Sequence, residues 1–207
     1  MADYAVMDTP AEPAFDQLVH EAAQACRTPI AVMSLIGRRR QWFKARVGVE
    51  LTETPIEHAV CVLTITDDRP LVISDLTEDP RTAANPLVTG EPHVRFYAGA
   101  PIRLADGLQI GSLCVVDTVP RPQGLTSWQE LQMLSLASRA EALLDERKRR
   151  ADPNQALRSS ALPKSRGRAH GDEEELFDLR DFAGTHGLTA AETFLRLTIE
   201  ALAKQGR

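Results

Sequence analysis

Two cysteines, Cys61 and Cys114, lie within apolar runs of this 207-residue sequence, and Cys26 lies nearer the N-terminus. A cysteine acts as a nucleophile when it is an accessible thiolate, which a nearby cation or helix N-terminus favours. Within four positions of Cys61 the only basic residue is His58. Two interpretations stay open: a redox pair, and buried thiols that behave as small apolar side chains, which we expect.

The loop sequence DPRTAANPLVTGEP at 79–92 carries two further candidates, Arg81 and Asn85. Its Asp-Pro and Asn-Pro pairs favour turns and restrict the backbone. The two polar side chains either hydrogen-bond to the backbone of their own loop or belong to a lid over a pocket. Binding residues are often found on loops that a rigid scaffold holds, so the lid is the functional hypothesis.

Arg95 and Tyr97 fall on the same face of a predicted strand, because side chains alternate along a strand. In the functional interpretation, the charge of Arg95 and the hydroxyl of Tyr97 orient a small ligand with an acidic group. In the structural interpretation, Arg95 pairs with a carboxylate and Tyr97 anchors the edge of the core. Trp42 is either a pocket wall or packed under the N-terminal helix. The candidate ligand-binding residues are Trp42, Cys61, Arg81, Asn85, Arg95 and Tyr97.

Other features of the sequence exclude whole classes of function. It has no P-loop, nucleophile elbow, HExxH or CxxC pattern, and its three cysteines are too spread for a zinc site. We therefore expect no catalytic residue, no metal and no enzymatic activity. A net charge of −5 argues against nucleic-acid binding, and no apolar run is long enough to span a membrane. The N-terminus lacks the basic region of a signal peptide, so a cytoplasmic protein is predicted.

Hydrophobic periodicity predicts the elements that must position these residues. The predicted elements are a helix at 14–26, strands at 30–36, 41–48 and 71–76, a hairpin of strands at 94–104 and 108–117, and a long helix at 126–150. Thr126 and Gln129 form a capping-box pattern at the start of the long helix. Hairpins with helices at both ends predict an α+β fold on a largely antiparallel sheet.

Composition divides the chain into three parts. The periodic elements form one domain at 14–150. Residues 151–175 have almost no large apolar side chains and are predicted to be a flexible linker. Residues 176–207 become apolar again and are predicted to form a short helical tail.

Four strings in this domain resemble the GAF domain family, in the subgroup found beside bacterial histidine kinases and diguanylate cyclases. They are WFKARVG (42–48), LVISDLTEDPRTAANPLVTGEPHVRFYAGAPI (71–102), IGSLCVVDTVPR (110–121) and LTSWQELQMLSLA (125–137). The resemblance implies a GAF-like, largely antiparallel sheet flanked by helices. Relatives often carry a Cys-x-His stretch in mid-domain, and here Cys61 is kept while Leu63 takes the His position.

This resemblance implies a stand-alone signalling protein that senses a small ligand or a cellular signal. Its expected partner is a histidine kinase or a diguanylate cyclase, and the sequence names no ligand or cofactor. A helical stripe at Met133, Leu136, Ala140 and Leu143 suggests a homodimer. The alternatives are a ligand-free dimerisation and docking module, which Leu63 favours, and a thiol-based reductase on a GAF fold.

Overall fold

A computed structural model describes residues 6–105 and 107–151, and the statements below concern those residues. The helices are α1 (Pro13–Cys26), α2 (Cys61–Thr64), α3 (Pro86–Thr89) and α4 (Ser127–Ala151). The strands are β1 (Ile30–Ile36), β2 (Arg40–Val47), β3 (Glu53–Pro55), β4 (Leu71–Ile73), β5 (Phe96–Arg103) and β6 (Gln109–Asp117). A 3-10 turn, Ile56–His58, precedes α2. Apart from Ala151, which ends α4, the predicted linker at 151–175 and tail at 176–207 lie outside the described residues.

The six strands form one antiparallel sheet in the order β3-β2-β1-β6-β5-β4. The strands β5 and β6 are the predicted hairpin, and Gly107 in their connection has a φ of +85°, a conformation that glycine adopts without strain. Helices flank this sheet and a long helix follows it, so the predicted α+β fold with a largely antiparallel sheet is confirmed.

One face of the sheet is covered by α1 and α4. The apolar side chains of α1 that the helical period predicted to share a face are all buried there: Phe15, Leu18, Val19, Ala22 and Cys26. The stripe of α4 is buried against the same core, since Met133, Leu136 and Ala140 are at most 3% exposed and Leu143 packs against them. This finding corrects the prediction of a dimer through that stripe, because side chains buried within one domain cannot contact a second copy.

The start of α4 is held by the predicted capping box. The backbone N–H of Thr126 donates to Gln129 Oε1 at 2.9 Å, and the backbone N–H of Gln129 donates to Thr126 Oγ1 at 3.3 Å. These bonds satisfy donors that the first turn of a helix leaves free. The Gln129 side chain also donates to the carbonyl of Ala25, which ties α4 to the end of α1. Along the described part of the chain, no helix is both long and apolar enough to cross a membrane.

The opposite face of the sheet is covered by α2, α3 and the loops beside them, which we call the covering segments (residues 56–65 and 76–94). A second core lies between them and the sheet. It includes Val32 of β1, Phe43 of β2, Tyr97 of β5 and Cys114 of β6. The sheet thus divides the interior into two separate cores, one facing long helices and one facing short helices and loops.

Candidate functional site

A cavity of about 80 Å³ lies in the second core, between the sheet and the covering segments. Its mainly apolar wall includes Val32, Phe43, Tyr97 and Cys114 from the sheet and Cys61, Leu87 and Pro92 from the covering segments. Because a water molecule occupies about 30 Å³ in the liquid, a molecule of a few non-hydrogen atoms fits this volume. A larger ligand, such as those held in pockets of about 300–1,000 Å³, requires the covering segments to move outward.

Polar side chains interrupt the apolar wall at Gln41, Thr54 and His58. Gln41 and Thr54 stand opposite each other on β2 and β3 and are only 6% and 5% exposed. Within the described residues, neither Gln41 Oε1 nor Thr54 Oγ1 has a hydrogen-bond partner. A buried polar atom without a partner costs about 1–3 kcal/mol. A bound molecule with an N–H or O–H group could recover that free energy at this end of the cavity.

At another part of the wall, two thiols are next to each other. Cys61 Sγ, on the first residue of α2, lies 3.6 Å from Cys114 Sγ in the middle of β6. Both residues are 2% exposed, and both line the cavity. The two cysteines are therefore buried neighbours. This arrangement is compatible both with a redox pair and with thiols that behave as small apolar side chains.

Hydroxyl groups surround this thiol pair. Tyr97 Oη lies 2.6 Å from Thr64 Oγ1 and 3.4 Å from Ser112 Oγ. The tyrosine ring crosses the position where residue 99 would carry a side chain, and a Cβ on Gly99 would lie 2.4 Å from Tyr97 Oη. A glycine at position 99 therefore lets Tyr97 reach Thr64 and Ser112 across the surface of the sheet.

These neighbours shift the pKa of each thiol in opposite directions. The hydrogen bond with Cys114, followed by those with Ser112, Ser34 and Tyr97, lowers the pKa of Cys61 to about 6, although burial opposes this change. The hydrogen bond with Cys61, and then burial, raise the pKa of Cys114 well above its usual value. The pKa of Tyr97 is also raised well above its usual value, mainly because the phenol is buried. The two thiols therefore titrate together, because each shift has the other thiol as its largest cause.

Among the residues selected from the sequence, Asn85 and Arg95 brace the loop over the cavity. Asn85 Oδ1 accepts a hydrogen bond from the backbone N–H of Leu87 at 2.9 Å and so caps α3. Its Nδ2 donates to the carbonyl of His58 at 3.0 Å. Arg95 Nη1 donates to the carbonyls of Val88 and Val94, each at 2.9 Å. These contacts hold the cavity roof in place, and neither side chain lies in the wall.

Arg81 and Trp42 lie away from the cavity. Arg81 Nε donates to Asp79 Oδ1 at 2.9 Å within the exposed loop, and this bond lowers the pKa of Asp79. Trp42 lies in the helix-side core and is 8% exposed, whereas its neighbour Phe43 faces the cavity. Of the six predicted residues, only Cys61 and Tyr97 line the cavity. Our sequence reasoning missed Gln41, Thr54 and His58 as wall residues, and the one available signal was that strand alternation places Gln41 on the same face as Phe43.

The fold is that of an α+β domain with a small cavity on one face of its sheet. One face of an antiparallel sheet is covered by two long helices, and the other encloses a small cavity beneath short helices and loops. Nowhere in the described ranges do three or more His, Cys, Asp or Glu side chains gather as they would around a metal ion. A small molecule held by an apolar wall and a few polar groups is the ligand type that such a site suits.

The family model described as GAF domain matches residues 10–144, which is more than half of the chain. This chain belongs to the GAF domain family, and the resemblance seen in its sequence is confirmed.

A curated relative changes one prediction. The chain is 40% identical over 116 residues to the protein named Cyclic di-GMP phosphodiesterase PA2567 of Pseudomonas aeruginosa. The match covers 56% of this chain and 20% of the relative, so this chain spans about a fifth of that protein's length. The prediction that the chain is not an enzyme is contradicted, because a relative this similar is named for an enzymatic activity.

Solved structures agree on the fold. The blue-light absorbing form of the PixJ GAF-domain from Thermosynechococcus elongatus has a TM-score of 0.54 at 16% identity, covering 71% of this chain and 90% of its own. A domain of a two-component sensor histidine kinase protein from Sinorhizobium meliloti 1021 has a TM-score of 0.52 at 13% identity, covering 70% and 97%. At these identities the likeness concerns the architecture alone.

Proposed function

We propose that this chain is a sensory unit in cyclic di-GMP signalling that binds a small uncharged molecule in the cavity beneath its covering segments. Its GAF fold and its similarity to a protein named a cyclic di-GMP phosphodiesterase support a sensory role in signalling. The proposed output is a change in cyclic di-GMP turnover, whether the hydrolytic residues belong to the same chain or to a partner. A cyclic di-GMP enzyme is therefore the first partner to test, ahead of a histidine kinase.

The observation that carries the ligand proposal is the pair of unpartnered atoms, Gln41 Oε1 and Thr54 Oγ1, in an apolar wall. Gln41 Oε1 can only accept a hydrogen bond, so the ligand must donate one. Among the described residues, the wall includes His58 but no Lys, Arg, Asp or Glu, and a ligand charge buried at the Gln41–Thr54 end would have no such partner, which is costly. The proposed ligand is thus a small molecule with an apolar body and one hydroxyl or N–H group.

The same features argue against two other ligands. The acidic ligand considered from the sequence needed the charge of Arg95, but that guanidinium is bonded to backbone carbonyls outside the wall. Cyclic di-GMP itself carries two phosphates and far exceeds a cavity of about 80 Å³. We therefore propose that a smaller molecule binds in the cavity as the signal, and that this signal controls the turnover of cyclic di-GMP.

The covering segments give the ligand a route to the rest of the domain. Leu87 and Pro92 form part of the wall, so a ligand that fills the cavity contacts the roof directly. Asn85 joins α3 to the 3-10 turn at His58, so α3 and that turn move together. A ligand changes the balance between roof positions only by as much as its affinity differs between them.

A homodimer remains part of this proposal, through a different face of α4. Trp128, Leu131 and Leu134 are 58%, 63% and 39% exposed, on the side of the helix away from the core. Exposed large apolar side chains that lie close together often mark a contact with another protein. This outward patch replaces the buried stripe as the proposed dimer surface.

Binding is tested by titrating the full chain with isopropanol and with acetone while recording ¹H–¹⁵N NMR spectra. The two probes have nearly the same size, but only isopropanol can donate a hydrogen bond to Gln41 Oε1. We expect isopropanol to shift signals around the cavity and acetone to bind more weakly. Gln41→Leu and Thr54→Val should each weaken isopropanol binding by about 5- to 100-fold, the cost of losing a buried hydrogen bond.

The matched control is Thr28→Val. Thr28 is 7% exposed and its Oγ1 has no partner among the described residues, as for Thr54, but Thr28 does not line the cavity. Isopropanol binding should be unchanged in this variant. Equal binding of both probes, or no binding at all, would reject the ligand proposal and favour the ligand-free docking module.

The signalling part is tested separately by placing the same variants in the chromosome of the host. We expect the cellular cyclic di-GMP concentration to change in Gln41→Leu and Thr54→Val cells and to stay unchanged in Thr28→Val cells. If the variants lose isopropanol binding but all three strains keep the parental concentration, the cavity is a binding site whose output is not cyclic di-GMP.

A further inference from the structure

The thiol pair in the cavity wall is the basis of an inference that does not depend on the proposed function. Cys61 and Cys114 are 53 positions apart in the chain, yet their sulfurs lie 3.6 Å apart. We propose that these two cysteines are an oxidation site, where a small hydroperoxide that enters the cavity converts the two thiols into a disulfide.

The positions of the two cysteines allow the bond to form with a small movement. A disulfide has an S–S distance of about 2.05 Å, so the sulfurs must approach each other by about 1.5 Å. Cys114 is fixed in the middle of β6, opposite Val32 of β1 and Gly99 of β5. Cys61 begins the four-residue helix α2, which belongs to the covering segments. The approach therefore falls to α2, and oxidation draws that part of the cavity roof toward the sheet.

The cavity also decides which oxidants reach the pair. Both cysteines line its wall, but each is only 2% exposed, so contact with bulk solvent is minimal. A volume of about 80 Å³ accommodates hydrogen peroxide, which has two non-hydrogen atoms. Cys26 is buried in the helix-side core, on the other side of the sheet. It is therefore outside this pathway.

The reaction proceeds in two balanced steps. The Cys61 thiolate attacks one oxygen of the hydroperoxide and becomes a sulfenic acid as the O–O bond breaks; the other oxygen leaves as hydroxide (or alkoxide) and takes up the proton that the Cys61 thiol released, which gives water (or an alcohol). The Cys114 sulfur then attacks the Cys61 sulfur, the S–O bond breaks, and the leaving hydroxide takes up the Cys114 proton and departs as water while the disulfide forms. Two thiols are oxidised and one hydroperoxide is reduced.

The surroundings of the sulfurs assign these two roles. Hydrogen bonds with Cys114, Ser112, Ser34 and Tyr97 lower the pKa of Cys61, which favours the thiolate that attacks first. The raised pKa of Cys114 keeps its proton in place until the sulfenic acid forms next to it. The same order suits the geometry, because Cys61 lies on α2 in the covering segments whereas Cys114 is held between two neighbouring strands of the sheet.

The test treats the full chain with a small excess of hydrogen peroxide, then denatures it, blocks free thiols and measures its mass. We expect the treated chain to carry one blocking group, on Cys26, where the untreated chain carries three, and dithiothreitol added before blocking should restore the other two. Peptide mapping should link Cys61 to Cys114. Cys26→Ser should behave as the unmodified protein does, whereas Cys114→Ser should stop at a Cys61 sulfenic acid that dimedone labels.

Three results would overturn the proposal: free thiols at both positions after treatment, a disulfide that includes Cys26, or a Cys61 sulfinic acid without linkage in the unsubstituted chain. Treatment in denaturant shows whether the fold causes the pairing, because the preference for the Cys61–Cys114 link should then disappear. If Cys114→Ser does not fold, the linkage map of the unsubstituted protein decides the question alone.

Discussion

At the scale of single residues, the second core contains buried polar atoms that have no hydrogen-bond partner among the described residues. The side chains of Gln41 and Thr54 present unpartnered oxygens to an apolar cavity, whereas Thr82, also buried, donates its hydroxyl to the carbonyl of Leu76 at 2.7 Å. A buried polar atom that lacks a partner opposes folding, and the same atom favours a ligand that supplies one. Binding and stability should therefore change in opposite directions at Thr54.

The first prediction follows from this contrast. Thr54→Val removes an unpartnered hydroxyl and keeps the shape of the side chain, so the free energy of unfolding should rise by about 1 kcal/mol. Thr82→Val makes the same chemical change where the hydroxyl is bonded, and there the free energy of unfolding should fall by about 1 kcal/mol. Urea denaturation of both variants measures the two values. A loss of stability in Thr54→Val would mean that its hydroxyl is already satisfied in the folded protein.

At the scale of elements, α1 and α4 are joined by their buried faces and by an ion pair at their edge. Arg139 of α4 donates to both carboxylate oxygens of Glu21 on α1, and Gln17 Nε2 donates to Glu21 Oε1 at 3.0 Å. The bond with Arg139 is the largest cause of a lowered pKa at Glu21, followed by the bond with Gln17. The side chains of Glu21 and Arg139 are 32% and 51% exposed, so solvent screens the pair.

The second prediction concerns pH. Because the pKa of Glu21 is lower in the folded than in the unfolded protein, its stabilisation is present above the unfolded pKa and is lost as pH falls through the folded pKa. Glu21→Gln should therefore lower the free energy of unfolding by about 0.2–1 kcal/mol at pH 7. The difference should vanish at a pH well below about 4.3, the ordinary glutamate pKa.

Urea denaturation at several pH values measures this dependence. The control is Glu50→Gln, in the exposed loop between β2 and β3, which should show little difference from the parent at pH 7. A Glu21→Gln deficit that stays constant down to the acid limit would assign the effect to packing, and the ion pair would then have no measurable role.

At the scale of the whole molecule, the two faces of the sheet have different tasks. The helix-side core is large and contains the long apolar side chains of α1 and α4, whereas the second core contains the cavity, the thiol pair and the covering segments. The patch of Trp128, Leu131 and Leu134 lies on the outward side of α4, beyond the helix-side core. A dimer through α4 would thus leave the cavity face open to small molecules.

The third prediction tests that arrangement. Leu131→Glu places a charge in the outward patch and should convert the dimer to a monomer, as measured by light scattering after size exclusion. Val119→Glu is the matched control, since Val119 is 62% exposed but lies outside α4. A parent protein that is monomeric at every concentration, or a Leu131→Glu variant that stays dimeric, would exclude this surface.

Much of the fold follows from local patterns in the sequence. The period of α1, the capping box of α4 and the strands of the β5–β6 hairpin each depend on neighbouring residues, and the structure has all three. These features predict the α+β class because each element must bury the face that its own period defines. The family strings add the same conclusion, which the match over residues 10–144 confirms.

The tertiary structure decided which faces meet and which side chains share a site. Periodicity shows that the α4 stripe is buried but does not show what covers it. The sheet of the same chain and a second copy of the chain are both consistent with that pattern. Alternation separates Trp42 from Phe43 but does not say which of them faces the cavity. The contact of Cys61 with Cys114 depends on how α2 packs on the sheet, and the pairing of Gln41 with Thr54 depends on strand register; no local pattern in the sequence specifies either.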